Sequence, residues 1–188
     1  MKPLFISCHT PDQLYTESAM RLKASLEKFG LEYEIHTYQP LGTWRDNCSF
    51  KPYFIKSMLD KHRGRPVVWV DADAEVVIFP ELFQDIMADV AAGYKDDEFL
   101  AATVYFANNQ ATRGLVKLWL ATMQAGPPHK LIEQTSLRDA IEYLLNKGLI
   151  TFERLPFEYV NIFDAFPQGP PVILQHQLSR QGRVLYGP

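Results

Sequence analysis

Asp71 and Asp73 stand one residue apart at the end of an uninterrupted apolar run, Val67-Val68-Trp69-Val70. Such a run has the pattern of a sheet strand buried on both faces. Its C-terminal tip is where open α/β sheets bind ligands. Alternate residues of a strand point the same way, so the two carboxylates can face one ligand. A pair of hard oxygen donors can hold a divalent cation, and the cation can hold a phosphate. The chemistry expected there is metal-dependent handling of a nucleotide. The plain alternative is a solvated strand end, where Asp is a common turn residue.

The elements that must position this pair are legible from spacing. Residues 4–8 read as a first strand. Thr10-Pro11-Asp12-Gln13 then carries helix-start signals, with Thr10 as the cap and Gln13 three positions on. Tyr15, Ala19, Leu22, Leu26 and Phe29 recur on one helical face, and Gly30 follows as a C-terminal cap. Residues 32–38 alternate polar and apolar as a second strand, broken by Pro40-Leu41-Gly42. A helix is predicted from about Pro52 to Lys61, with Phe54, Ile55, Met58 and Leu59 inward.

Beyond the acidic tip, Pro80 is predicted to open a short helix burying Leu82, Phe83, Ile86, Met87 and Val90. Residues 99–106 read as another buried strand. Val116, Trp119, Leu120 and Met123 mark a helix ending before Gly126-Pro127-Pro128. Leu137, Ala140, Ile141, Leu144 and Leu145 mark one more, capped by Gly148. Residues 150–153, 172–174 and 184–186 are short strand candidates. This alternation predicts an α/β fold with a largely parallel sheet, one domain over residues 1–188.

With 188 residues, 47% apolar, the chain can bury a sizeable core. A net charge of −3 argues against general nucleic-acid binding, which shows a basic stripe. Cys8 and Cys48 could form one disulfide, but two reduced thiols are the simpler reading. The N-terminal apolar run is too short for a signal peptide, and no segment approaches a membrane span. A soluble, cytoplasmic protein is expected.

The segment Trp69-Val70-Asp71-Ala72-Asp73-Ala74-Glu75-Val76, followed by Phe79-Pro80-Glu81-Leu82-Phe83, resembles the donor site of GT-A-type glycosyltransferases. These are the glycogenin-like and related nucleotide-diphospho-sugar transferases. Lys51-Pro52, Phe106-Ala107-Asn108-Asn109, Glu133-Gln134 and Ile173-Leu174-Gln175-His176 are similar to further family segments, in the family's order. The resemblance runs from residue 4 to about 183. It implies a Rossmann-like, mostly parallel sheet flanked by helices, and transfer of a sugar from a nucleotide-diphosphate donor. The acceptor would be a glycan, a protein or a small molecule.

The resemblance also implies roles. Asp71, Asp73 and His176 would hold Mn²⁺ or Mg²⁺, and the mixed oxygen and imidazole set suits Mn²⁺ at least as well. Lys51 would face the donor phosphates. His9 and Thr10 would contact base and ribose, Tyr38 would stack on the base, and Arg45 and Asp46, in the loop before Lys51, would line the cleft. Asn108 would reach sugar hydroxyls, and Glu133 or Gln134 would sit beside the reacting carbon. After His176 the family's Gly and Lys-Pro-Trp element is replaced by Gln177-Leu178-Ser179-Arg180, so Arg180 or Arg183 is a candidate phosphate contact. The chain is short for the class, which implies a reduced acceptor half.

Simpler roles stand beside these. Thr10 is fully explained as a cap, Asn108 and Asn109 as turn formers, and Glu133 and Gln134 as first-turn residues. Two other functions fit the same motif. One is a phosphohydrolase using an Asp-x-Asp nucleophile, with Asp96-Asp97 as its later acidic pair. The other is a non-catalytic module that binds a nucleotide sugar.

Overall fold

The computed structural model describes residues 1–125, 133–163 and 169–178. The strands are β1 (Leu4–His9), β2 (Tyr33–Thr37), β3 (Val67–Val70), β4 (Ala74–Val76), β5 (Val90–Lys95), β6 (Glu98–Phe106), β7 (Phe152–Leu155), β8 (Asn161–Ile162) and β9 (Ile173–Gln175). The α-helices are α1 (Gln13–Lys28), α2 (Trp44–Cys48), α3 (Lys51–Lys61), α4 (Gln110–Ala125) and α5 (Glu133–Asn146). Six strands form one sheet in the order β2-β1-β3-β6-β5-β7, and a second sheet has the order β4-β9-β8. In the larger sheet β1 is parallel to β2 and β3, and β5 to β7, while β6 runs antiparallel to both β3 and β5.

The apolar run of β3 is buried on both faces, as its sequence predicts. Val67 and Trp69 join a core with Ile55 of α3, Leu115 and Trp119 of α4, and Leu137 and Ile141 of α5. Val68 and Val70 join the opposite core, with Leu22 and Leu26 of α1, Phe83 and Tyr105. Strand alternation thus divides four consecutive residues between two helical layers, and each layer needs the other's sheet face to hide its own apolar stripe.

Three local expectations are corrected. The N-cap of α1 is Asp12, whose carboxylate accepts the Tyr15 N–H at 3.0 Å, and the Thr10 hydroxyl donates to the other Asp12 oxygen at 2.6 Å. Asp accepts at an N-cap as well as Thr and adds charge favoured by the helix dipole. Arg45 and Asp46 lie on a helix rather than a loop: Thr43 caps α2, and Asp46 closes the capping box by accepting the Thr43 N–H at 2.9 Å. The helix expected after Pro80 is only a 3₁₀ turn, Glu81–Gln84, and Met87 is exposed. Val90 instead opens β5, a hairpin partner of β6 whose turn holds Asp96 at φ 52°. Long-range pairing outweighs helical spacing there. The strand expected at 184–186, Gly126-Pro127-Pro128, Arg180 and Arg183 lie outside the described residues.

The register of β5 on β6 shifts between Ala92 and Gly93. At Gly93 a β-carbon would lie 2.7 Å from Val160 Cγ1 and nearer still to Cγ2, and Val160 is fully buried. Gly93→Ala is therefore expected to cost about 1–3 kcal/mol by overpacking. For a chain of this size that lowers the melting temperature by about 2–4 °C per kcal/mol. A thermal melt of the variant checks it.

Candidate functional site

A cavity of about 570 Å³ opens at the C-terminal edge of β1 and β3. Its floor carries Cys8 and His9 from β1, Trp69 from β3, and the turn Asp71-Ala72-Asp73, in which the Ala74 N–H closes on the Asp71 carbonyl at 3.0 Å. Helix α2 contributes Trp44, Asn47 and Cys48, the i, i+3, i+4 face of a short helix. Lys51 enters from α3, and Glu133 and Gln134 from the start of α5. The β5–β6 hairpin adds Lys95 and Glu98.

The centre of the site is a buried ion cluster. Lys51 Nζ lies 2.9 Å from Asp71 Oδ1, 3.1 Å from Glu133 Oε1 and 3.3 Å from the Ala101 carbonyl. Its ammonium also sits over the Trp69 ring, 5.2 Å from the centroid, while Trp69 Nε1 donates to Asp71 Oδ1 at 2.8 Å. An ammonium has three protons, and three protein acceptors take them. Lys51 therefore has no proton left for a phosphate, and its expected direct contact is replaced by a charge that holds Asp71 and Glu133 in place. Burial alone would discharge Lys51. Asp71 and then Glu133 more than offset that, and the lysine pKa is held above its ordinary value.

Asp73 has the opposite problem. Its Oδ2 accepts the Leu178 N–H at 2.7 Å, but burial, with the Asp71 charge second, lifts its carboxyl from the ordinary 3.8 to about 6. The sign of the consequence is fixed by linkage. Between those two values the folded protein binds more protons than the unfolded chain, so Asp73 makes stability fall as pH rises through that window. Asp73→Asn, which keeps an oxygen for Leu178, is expected to exceed wild type in stability at pH 7.5 and not at pH 4. Urea midpoints at the two pH values, without divalent cation, check this.

Most of the expected site residues meet at this cavity. Asp71, Asp73, Lys51, Glu133, Gln134, His9, Thr10 and Tyr38 all line it. Glu133 is buried, and its Oε2 has no hydrogen-bond partner among the described residues. Gln134 Oε1 accepts the Ala101 N–H at 3.2 Å, so both residues are tied to β6. His9 uses both ring nitrogens locally, Nδ1 donating to the Thr10 carbonyl at 2.8 Å and Nε2 lying 3.2 Å from Thr37 Oγ1. Tyr38 stacks on Phe50 with ring centroids 4.3 Å apart and donates its hydroxyl to the Asn47 carbonyl at 3.1 Å.

Four expected residues are placed elsewhere, among them Asp46, whose carboxylate closes the capping box of α2. Asn108 follows β6, which runs antiparallel to β3 and puts Phe106 opposite Val67, at the far edge of the sheet. There Asn108 donates to the Leu59 and His62 carbonyls at 3.2 and 2.6 Å and holds φ 56°, a turn former. Arg45 lies off the face of α2 that lines the cavity. His176 follows β9 between Gln175 and Gln177, and both neighbours line the cavity while His176 does not. Its Nε2 lies 3.0 Å from Glu75 Oε2. No local signal marks Gln175 and Gln177, whereas the spacing in α2 could have found Asn47.

Among the described residues no group of three or more His, Cys, Asp or Glu side chains is arranged to enclose a metal ion. Asp71 and Asp73 nonetheless fit one. They are hard oxygen donors on a shared wall, and the Asp73 carboxyl, lifted first by burial and then by the Asp71 charge, would be favoured in its ionised form by a cation beside it. Mg²⁺ and Mn²⁺ commonly use one or two carboxylates and fill the remaining positions with phosphate oxygens and water. The His176 imidazole is paired with Glu75, outside the cavity lining, while its backbone N–H holds the Asp73 carbonyl at 3.1 Å.

Known folds with this arrangement belong to one group of enzymes. The chain superposes on a glycosyltransferase involved in glycosylation of the major capsid of PBCV-1, with a TM-score of 0.71 and 13% identity, covering 99% of this chain and 98% of that one. The glycosyltransferase GlyE of Streptococcus pneumoniae TIGR4 matches all of the chain at a TM-score of 0.63 and 13% identity, with 60% of GlyE covered. The galactosyltransferase LgtC, solved with donor and acceptor sugar analogs, matches 98% of the chain and 95% of its own length at a TM-score of 0.59 and 8% identity. The fold is GT-A. No family model and no curated protein matches the sequence. Asp71 and Asp73 occupy the turn that follows β3. Among the described residues no helix is long and apolar enough to cross a membrane. Cys8 and Cys48 are not joined in a disulfide.

Proposed function

We propose that the protein is a cytoplasmic glycosyltransferase that takes a sugar from a nucleotide-diphosphate donor in the cavity at Asp71 and Asp73. The observation that carries this reading is the carboxylate pair Asp71 and Asp73, seated on the cavity wall of a GT-A fold. Asp71 and Asp73 would hold Mn²⁺ or Mg²⁺, which as a Lewis acid neutralises the charge left on the departing phosphate oxygens. The rest is supplied by the chain. Lys51 fixes Asp71 and Glu133 at the centre, so neither has to reorganise as charge develops. Glu133 and Gln134, anchored to Lys51 and to the Ala101 N–H, would border the reacting sugar. Thr10, Tyr38 and the wall built on His9 would receive the base and ribose. The complex of LgtC with donor and acceptor sugar analogs supports a similar pairing of substrates here, the acceptor being a glycan, a protein or a small molecule.

The phosphohydrolase reading has less support. Its nucleophile would be Asp71, whose Oδ1 is engaged by both Lys51 and Trp69. Asp96 and Asp97 lie in the β5–β6 turn, outside the cavity lining. The functional test is release of nucleotide from a panel of nucleotide sugars with Mn²⁺, run beside an aryl phosphate. Consumption of one nucleotide sugar and no aryl phosphate is expected. Turnover of the aryl phosphate alone would replace this proposal with the phosphohydrolase. Donor binding without release would leave a binding module.

A further inference from the structure

Asn47 is buried, 9% exposed, and lines the cavity from α2. Its Oδ1 accepts the Leu41 N–H at 2.8 Å. A backbone N–H can only donate, so this bond fixes which way the amide is turned. The atom left over is therefore Nδ2, a donor, and it has no partner among the described residues. The Asn47 carbonyl is taken by the Tyr38 hydroxyl at 3.1 Å. A buried, unsatisfied donor is costly, and native proteins retain few of them without a reason.

Its surroundings indicate what the donor is for. Tyr15, Tyr38 and Trp44 line the same part of the chain's cavity wall, supplying aromatic surface beside the free amide. Aromatic walls with one fixed polar group suit a planar heterocycle. Two further residues of the lining carry a buried polar atom with no hydrogen-bond partner among the described residues, Glu133 Oε2, an acceptor, and Gln175 Oε1. The lining thus holds a donor on a residue flanked by aromatic side chains, and acceptors on Glu133 and Gln175. Those groups suit a molecule that carries both a ring acceptor and hydroxyl groups.

We propose that Asn47 is the residue that reads the base of the donor, its Nδ2 giving a hydrogen bond to an acceptor on the rim of the nucleobase. This rests on the nucleotide-sugar reading of the cavity and adds to it a specificity-determining residue on α2. Asn47 also has a structural task, stapling the loop at Leu41, and the experiment has to separate the two. Asn47→Asp keeps the oxygen that Leu41 needs and removes the donor. Asn47→Ala removes both.

The probes are the four common nucleoside diphosphates and, as a base-free control, inorganic pyrophosphate, each with Mn²⁺. The readout is the ratio of dissociation constants between pyrophosphate and the tightest-binding nucleoside diphosphate. A ratio is used because an added carboxylate repels both probes. Thermal melts confirm that each variant folds. The expected result is a ratio at least tenfold smaller in both variants, with Asn47→Asp melting close to wild type. A ratio unchanged in Asn47→Asp and reduced in Asn47→Ala would overturn the proposal and leave Asn47 as a loop staple. If pyrophosphate binds wild type and no nucleoside diphosphate binds more tightly, base reading is overturned while a metal–phosphate site remains. If neither probe binds, the donor-site reading falls with it.

Discussion

Lys51→Met is expected to destabilise the protein by about 3–5 kcal/mol, the usual cost of removing one member of a buried ion pair. The reason lies in what the substitution leaves behind. Glu133 is buried and Asp71 is one-third exposed, and both lose the ammonium that now sits 3.1 and 2.9 Å away. At about 2–4 °C per kcal/mol for a chain of this size, the melting temperature should fall by roughly 6–20 °C. Urea unfolding followed by tryptophan fluorescence measures it, and a loss below about 1 kcal/mol would mean that the cluster is not holding the site together. Adding Asp71→Asn and Glu133→Gln to Lys51→Met should recover most of the loss, because replacing a whole buried ionic group is often close to neutral. That triple variant should fold and should not transfer sugar. Recovery of stability without activity would locate the reason for the cluster in the reaction rather than in the fold.

Asp73→Asn is expected to lower turnover by about 100-fold or more at saturating donor, equivalent to about 2.7 kcal/mol in the barrier. Asp73 is the cleaner of the two acids to test. Asn can still accept the Leu178 N–H, whereas Asp71→Asn would also disturb Lys51 and Trp69. The same variant gains stability at neutral pH, by the linkage argument from the lifted Asp73 carboxyl. A group that destabilises the folded state and is needed for turnover is what a built ligand site predicts. Steady-state kinetics with Mn²⁺ held at a fixed, saturating concentration measures the loss. Turnover within threefold of wild type would remove Asp73 from the site.

The sequence made the strand ahead of Asp71 legible because four apolar residues with no polar alternation have few other homes. Glu133 and Gln134 were found through their order in the chain, and Lys51 through its place before Pro52. What stayed hidden depended on strand direction. Nothing local says that β6 runs antiparallel, so Asn108 was expected beside the donor although it caps the opposite edge of the sheet. The same reversal brings Glu98 and Lys95 to the cavity, where no motif pointed to them. His176 was assigned by position, and its ring pairs with Glu75 while its two neighbours line the cavity. The ion pairs of Lys51 span 20 and 82 residues of sequence and become visible only once three elements meet.

The central claim is that Asp71 and Asp73 bind a nucleotide sugar through a divalent cation. The most direct measurement is calorimetric titration of nucleotide sugars into the protein with Mn²⁺ and with excess chelator, repeated on Asp73→Asn. One nucleotide sugar should bind wild type with Mn²⁺, weaken at least tenfold with chelator, and weaken comparably in Asp73→Asn with Mn²⁺ present. Equal affinity with and without the cation, or in wild type and Asp73→Asn, would contradict the account.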